Sequence, residues 1–186
     1  MKTNYILVTG CAGFIGFHLC AKFLKKTNSY VLGVDNLNKN YDLNLKKNRL
    51  KLLKTNKKFI FLKKNIDNYD KLSKSLQKYS FKYIFHLAAQ AGVRESIKKP
   101  DQYFQNNIKG FYNIIKLSNQ KKIKRLFYAS SSSVYGNKIK SSQEIDNTDM
   151  PESFYAASKK INETIAFSFS NIYGIKTTAL RFFTVY

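Results

Sequence analysis

Short apolar runs alternate with longer segments of helical spacing along the whole chain, the pattern expected of a parallel sheet flanked by helices. Tyr5-Ile-Leu-Val-Thr9 predicts a buried first strand, and Gly13 to Lys25 a helix offering Phe14, Ile15, Leu19, Phe23 and Leu24 to the core. Tyr30-Val-Leu-Gly-Val34, ended by Asp35, predicts a second strand. Asp42 to Lys54 predicts a basic helix with leucines at 43, 45, 50, 52 and 53. Phe59 to Leu62 predicts a third strand, Tyr69 to Tyr79 a helix, and Tyr83 to Leu87 a fourth strand.

Pro100 stands where proline is tolerated, at the entrance of a helix expected over Asp101–Ser118. Arg125 to Ala129 predicts a fifth strand, and the polar stretch from Gly136 to Pro151 a loop. Ser153 is placed to cap the next helix, and Gly174 to end it. Thr177 to Phe183 predicts a sixth strand. No repeat or linker interrupts the order. The expectation is one α/β domain over 1–186, a doubly wound parallel sheet with helices on both faces.

Composition changes this picture little. The net charge is +22, from 33 Lys+Arg against 11 Asp+Glu, but arginine stands only at 49, 94, 125 and 181. The remaining lysines are scattered among asparagines and isoleucines. That fits the codon bias of an AT-rich genome on solvated faces better than a selected polyanion surface, which favours arginine. A nucleic-acid partner is therefore not expected. Cys11 and Cys20 are too few for a disulfide framework and are expected as free thiols. The apolar start at Tyr5–Val8 is too short for a signal-peptide core, and no run approaches a membrane span. A cytoplasmic protein with neither membrane nor metal is expected.

The chemistry begins at Thr9-Gly-Cys-Ala-Gly-Phe-Ile-Gly16, between the first strand and the first helix. Gly10 permits a tight turn, Gly13 lets backbone approach a pyrophosphate, and Gly16 lets helix and sheet pack closely. The helix N-terminus offers free N–H groups to phosphates. Asp35 follows about 20 residues on, where a carboxylate meets the adenosine ribose diol. Its charge favours NAD over NADP; the loop alone does not exclude FAD.

Tyr155 and Lys159 stand at i, i+4 on one helical face, and Ser131 follows the fifth strand. All three should face the crevice beside a nicotinamide. An unperturbed phenol has a pKa of about 10. A neighbouring ammonium and a positive nicotinamide both favour the phenolate, so Tyr155 is expected to become a base usable near neutrality, with Ser131 bonded to the same substrate oxygen.

These segments, together with Asp35-Asn-Leu-Asn38, His86-Leu-Ala-Ala-Gln-Ala-Gly-Val-Arg94, Tyr128-Ala-Ser-Ser-Ser-Ser-Val-Tyr-Gly136 and Leu180-Arg-Phe-Phe-Thr-Val-Tyr186, resemble the extended short-chain dehydrogenase/reductase family. Gln90-Ala-Gly-Val-Arg94 and Arg181-Phe-Phe-Thr184 narrow the likeness to nucleotide-sugar 4-epimerases acting on UDP-glucuronate. The resemblance implies a Rossmann-like fold and NAD as cofactor. Ala12, Gly13, Phe14 and Ile15 would bind the pyrophosphate, with Gly10 and Gly16 shaping the loop. Asp35 and Asn36 would bind the adenosine side, and Leu87, Ala88 and Ala89 would line the cofactor. Asn107 would support the site, and Phe183 would lie near the nicotinamide. Ser131, Tyr155 and Lys159 would be catalytic, Lys159 also reaching the nicotinamide ribose. Arg94, Ser132, Ser133 and Thr184 would meet the UDP-sugar, Thr184 near its carboxylate. The reaction implied is transient oxidation at C4 to a keto sugar, then reduction on the other face.

At Asn65-Ile66 the family usually has an aspartate meeting the adenine amino group; asparagine accepts the same bond without charge. The family also continues into a smaller C-terminal substrate domain, expected to be absent from this chain, which stops at Tyr186. A 1–186 chain is therefore expected to bind NAD and to turn over poorly, and the complete protein to be a homodimer through the 101–118 and Tyr155 helices. Rival readings are a dehydratase, which usually carries an acidic pair where Ser130–Ser133 stands, a UDP-glucuronate decarboxylase, and a non-catalytic NAD- or nucleic-acid-binding module.

Overall fold

A computed structural model describes residues 4–40, 42–137 and 142–186. The first strand, β1 (Asn4–Thr9), is followed by α1 (Phe14–Lys26), β2 (Tyr30–Asp35), α2 (Leu43–Lys54), β3 (Phe59–Lys63), α3 (Tyr69–Leu76) and β4 (Ser80–His86). Then come α4 (Val93–Lys98), α5 (Pro100–Tyr103), a π-helical turn (Phe104–Lys109) and α6 (Gly110–Gln120). The last elements are β5 (Arg125–Ser131), a 3-10 turn (Ser132–Tyr135), α7 (Phe154–Tyr173) and β6 (Thr177–Phe182).

All six strands are parallel, in the order β3-β2-β1-β4-β5-β6. The chain's direction of travel across the sheet reverses between β1 and β4, and that switch point leaves a crevice at the strands' carboxyl ends. Alternation along β1 divides the core. Leu7 packs with Leu72 and Leu76 of α3 and with Phe111, Ile114 and Ile115 of α6, whereas Ile6 and Val8 pack with Cys20 of α1 and Leu50 and Leu53 of α2. Helices thus cover both faces, as the alternating pattern predicts.

The helix ends follow local chemistry. Asp42 caps α2 from outside, its side chain accepting from the Asn44 and Leu45 amides. Ser153 caps α7 through the Ala156 amide, and Gly174 ends it in the left-handed conformation (φ 68°). Gly136 to Pro151 holds no regular element among its described residues; 138–141 lie outside them.

Three expectations need correction, and one helix, α4, was not foreseen. The helix over Asp101–Ser118 is three pieces. It starts at Pro100, runs through a π turn that carries Asn107 and ends at Gln120. The short helix α4 has its apolar residues Val93 and Ile97 exposed and Ser96 buried, so no apolar stripe announces it. β4 starts at Ser80, where Asn4 pairs with it. Finally, Phe14 does not enter the core; it is 38% exposed and lines the crevice.

Candidate active site

The crevice at the switch point is a cleft of about 260 Å³. One wall is the glycine loop, with Gly10, Gly13 and Phe14. Asp35 and Asn36 close it beyond β2, and Asn65 and Ile66 beyond β3. Leu87, Ala88 and Ala89 form the wall after β4.

Close backbone approach makes this wall. Gly10 has φ 72°, and a Cβ there would lie 2.7 Å from the Ala88 nitrogen. A Cβ on Gly16 would lie 2.1 Å from the Gly10 carbonyl oxygen. Gly13 starts α1 without a side-chain cap, leaving the helix's first N–H groups to the cleft. Ile15 is half-buried behind them. Ala12 is fully buried, and its amide donates to Asp35 Oδ2 at 3.2 Å, so Asp35 braces the loop; Asp35 Oδ1 accepts from the Leu37 amide at 2.8 Å. The Asn65 carbonyl, expected to be open to adenine, accepts from Asn36 Nδ2 at 3.3 Å.

Asn107 does not line the cleft; its neighbour Asn106 does. From the π turn, Asn107 is buried and reaches two places. Its Oδ1 accepts from the Gln90 amide at 2.7 Å, and its Nδ2 donates to the Gln90 carbonyl at 3.0 Å and to Ser158 Oγ at 3.1 Å. Ser158 in turn donates to the Tyr155 carbonyl at 2.7 Å. The wall after β4 is thereby tied to the helix carrying Tyr155. π turns often mark functional sites.

Ser131 ends β5, buried, and its hydroxyl accepts from the Ser133 amide and bonds Ser133 Oγ, both at 3.1 Å. Ser132 and Ser133 sit half-buried on the 3-10 turn. Burial raises the pKa of Tyr155, and a hydrogen bond with Ser131 lowers it in part. That contradicts the expected depression by Lys159. The Lys159 ammonium lies 5.8 Å from the Tyr155 ring centre and instead donates to the Ala129 carbonyl at 2.9 Å. Lys159 is 3% exposed, and burial lowers its pKa to about 8. Behind it, buried His86 bonds Thr9 Oγ1 through Nδ1 at 2.7 Å. Burial first, then the Lys159 charge, lowers the His86 pKa to about 3, so this imidazole is neutral.

Ser131, Ser132, Ser133, Tyr155 and Lys159 do not line the cleft itself, and neither do the expected contacts Phe183, Thr184 and Arg94. Phe183 is 61% exposed and stacks on Tyr135, with ring centres 6.3 Å apart. Thr184 is exposed beyond β6, and Arg94 is exposed on α4.

Two groups of residues were missed. Glu163 accepts from Ser130 Oγ at 2.5 Å and takes both arms of Arg181, at 3.0 and 2.9 Å. Burial works against the Glu163 carboxylate, but bonds from Arg181 and Ser130 hold its pKa below the usual range. Glu163 stands four residues after Lys159 on the same helical face, which was the available signal. Lys46 and Lys64 also line the cleft; nothing in the sequence separates them from the surface lysines.

The sequence profile described as the NAD dependent epimerase/dehydratase family matches residues 6–186. The chain belongs to that family. Among its relatives, Protein CapI of Staphylococcus aureus is 50% identical over 182 residues, covering 97% of this chain and 54% of its own length. UDP-glucuronate 4-epimerase 2 of Arabidopsis thaliana is 44% identical over 183 residues, covering 97% of this chain and 42% of its own. In structure, the fold is similar to UDP-glucuronic acid 4-epimerase from Bacillus cereus in complex with UDP-glucuronic acid and NAD. The TM-score is 0.90 at 36% identity, over all of this chain and 57% of that one. The chain thus spans about half the length of these curated family relatives. No helix among the described residues is long and apolar enough to cross a membrane.

Proposed function

We propose that this chain is the dinucleotide-binding and proton-transfer part of an NAD-dependent UDP-sugar 4-epimerase interconverting UDP-glucuronate and UDP-galacturonate. The observation that carries the reading is spatial. Ser131 and Tyr155 meet at the carboxyl end of β5, while the glycine cleft opens at the carboxyl ends of β1, β2 and β4 in the same sheet.

The residues fit NAD. Gly10 and Gly16 admit no side chain, uncapped N–H groups of α1 face the cleft, and a carboxylate closes its far wall. The loop from Gly10 through Gly16 would hold the pyrophosphate, and Asp35 and Asn36 the adenosine ribose. Asn65 and Ile66 would flank the adenine, and Leu87 to Ala89 would lead to the nicotinamide. When bound, NAD supplies a reversible oxidant for a carbinol carbon and a positive charge beside Tyr155.

The chain's own groups handle the proton. Tyr155 takes it from the C4 hydroxyl and later returns it, and Ser131 hydrogen-bonds the same oxygen. Burial favours the neutral phenol, so the base form forms only as positive charge gathers around it. Lys159 is anchored on the Ala129 carbonyl and would reach the nicotinamide ribose. Thr184 holds the sugar carboxylate away from the alignment for losing CO₂, with Ser132, Ser133 and Arg94 on the sugar side. Glu163, one turn after Lys159, is bound by Arg181 and Ser130 and is not free for dehydratase-type acid–base work. The exposed Tyr112, Ile161 and Phe167 on α6 and α7 support a homodimer through these helices.

The test is proton NMR of UDP-glucuronate incubated with the protein and NAD⁺. UDP-galacturonate that forms with the wild type and not with Tyr155→Phe supports the reading. A pentose product would assign a decarboxylase, and NADH binding without any turnover a binding module.

A further inference from the structure

Lys46 is buried, 7% exposed, and the cofactor reading gives it no role. Buried lysines are rare unless paired. This one lies on α2 and lines the cleft. Its ammonium donates to Asn38 Oδ1 at 2.8 Å and to the Asn38 carbonyl at 3.3 Å. Asp35 Oδ1 stands 3.8 Å away, an ion-pair distance too long for a hydrogen bond. The carboxylate is therefore offset in charge, while two of its lone-pair directions are taken by the Ala12 and Leu37 amides.

Resting on the NAD reading, we infer that cofactor selectivity is set by the Asp35–Lys46 pair, and that Lys46 decides how far the site tolerates a phosphate on the adenosine ribose. A lone carboxylate at the ribose repels a 2′-phosphate. Here the carboxylate and ammonium cancel within one ion-pair distance, and Lys64 adds a second cation to the same cleft. A phosphate of charge about −2 would meet no net negative field at the Asp35 end of the cleft. Asp35 still favours the free diol through its remaining acceptor capacity, so NADH binds more tightly, but the margin depends on Lys46.

The experiment compares NADH and NADPH dissociation constants, by nucleotide fluorescence, for wild type, Lys46→Met, Lys46→Gln, Lys46→Arg and the exposed neighbour Lys47→Met. Removing one positive charge a few ångströms from a phosphate weakens its binding about 10- to 100-fold. The NADPH-to-NADH ratio should therefore rise at least about 10-fold in Lys46→Met and Lys46→Gln, and stay near wild type in Lys46→Arg and Lys47→Met. Lys46→Gln keeps a donor for Asn38, so it reads the charge even if Lys46→Met fails to fold. A ratio unchanged in Lys46→Gln overturns the inference and leaves the NAD reading standing. So does a wild type that binds NADH and ignores NADPH at ~1000 times the NADH constant, about 4 kcal/mol of discrimination. A wild type that binds neither nucleotide overturns both.

Discussion

Replacing Lys159 with methionine should make the nucleotide-free protein more stable. The ammonium is 3% exposed, and its pKa falls from 10.5 to about 8 on burial. Each pKa unit is about 1.4 kcal/mol, so below pH 8 the folded state carries a penalty of about 3 kcal/mol for keeping this charge. Methionine matches the shape without the charge and loses the bond to the Ala129 carbonyl, worth about 1 kcal/mol. The net gain of about 2 kcal/mol should raise Tm by about 4–8 °C in a domain of this size. The sign with pH follows from proton counting. Between pH 8 and 10.5 the unfolded wild type binds more protons than the folded one, so wild-type stability rises through that window. The variant's advantage should be constant below pH 8, shrink above it, and reverse near pH 11 to the value of the lost hydrogen bond. Thermal melts of both proteins from pH 6.5 to 10.5 read this directly. A variant no more stable at pH 7, or a gap indifferent to pH, would refute the desolvation argument.

Other substitutions probe separate parts of the account. Gly16→Ala places a methyl against the Gly10 carbonyl at 2.1 Å; denaturant melts should show a loss of about 3 kcal/mol or more. Glu163→Gln breaks the charged half of the bond to Arg181 and should cost about 1–3 kcal/mol at pH 7. Because the Glu163 pKa is held down when folded, that cost should fade as pH drops through the carboxylate range, which urea titrations at pH 7 and pH 3.5 would check. Cys11 and Cys20 are both buried at 0% exposure, and burial pushes the Cys20 pKa up to about 12. A thiol reagent at pH 8 should label neither until denaturant is added; fast labelling of the native protein would contradict the packing around the glycine loop.

Much of this architecture was legible because parallel strands buried on both faces appear as apolar runs. Val31, Leu32 and Val34 announce β2 in this way, and Asp35 ends it. The glycine loop was legible because its spacing is dictated by backbone contact: Gly10 and Gly16 sit where a Cβ would strike backbone atoms. The π turn was not, since a local widening shifts the helical period by one residue and leaves composition unchanged. The state of Tyr155 was misread for a related reason. Spacing places Lys159 on the same helical face, but the sequence does not reveal that the Ala129 carbonyl takes the ammonium. Lys46 could not be told from Lys47 by pattern, although one is buried in the cleft wall and the other exposed.

The central claim is that the cleft between Gly10 and Asp35 is a dinucleotide site. Isothermal titration of NADH into the protein tests it most directly. The account predicts one site with a dissociation constant of about 1–100 μM, near −7 kcal/mol, retained in Tyr155→Phe and lost when Gly13→Glu puts a carboxylate at the mouth of α1. Absence of binding at millimolar NADH, or binding unaffected by Gly13→Glu, would contradict it.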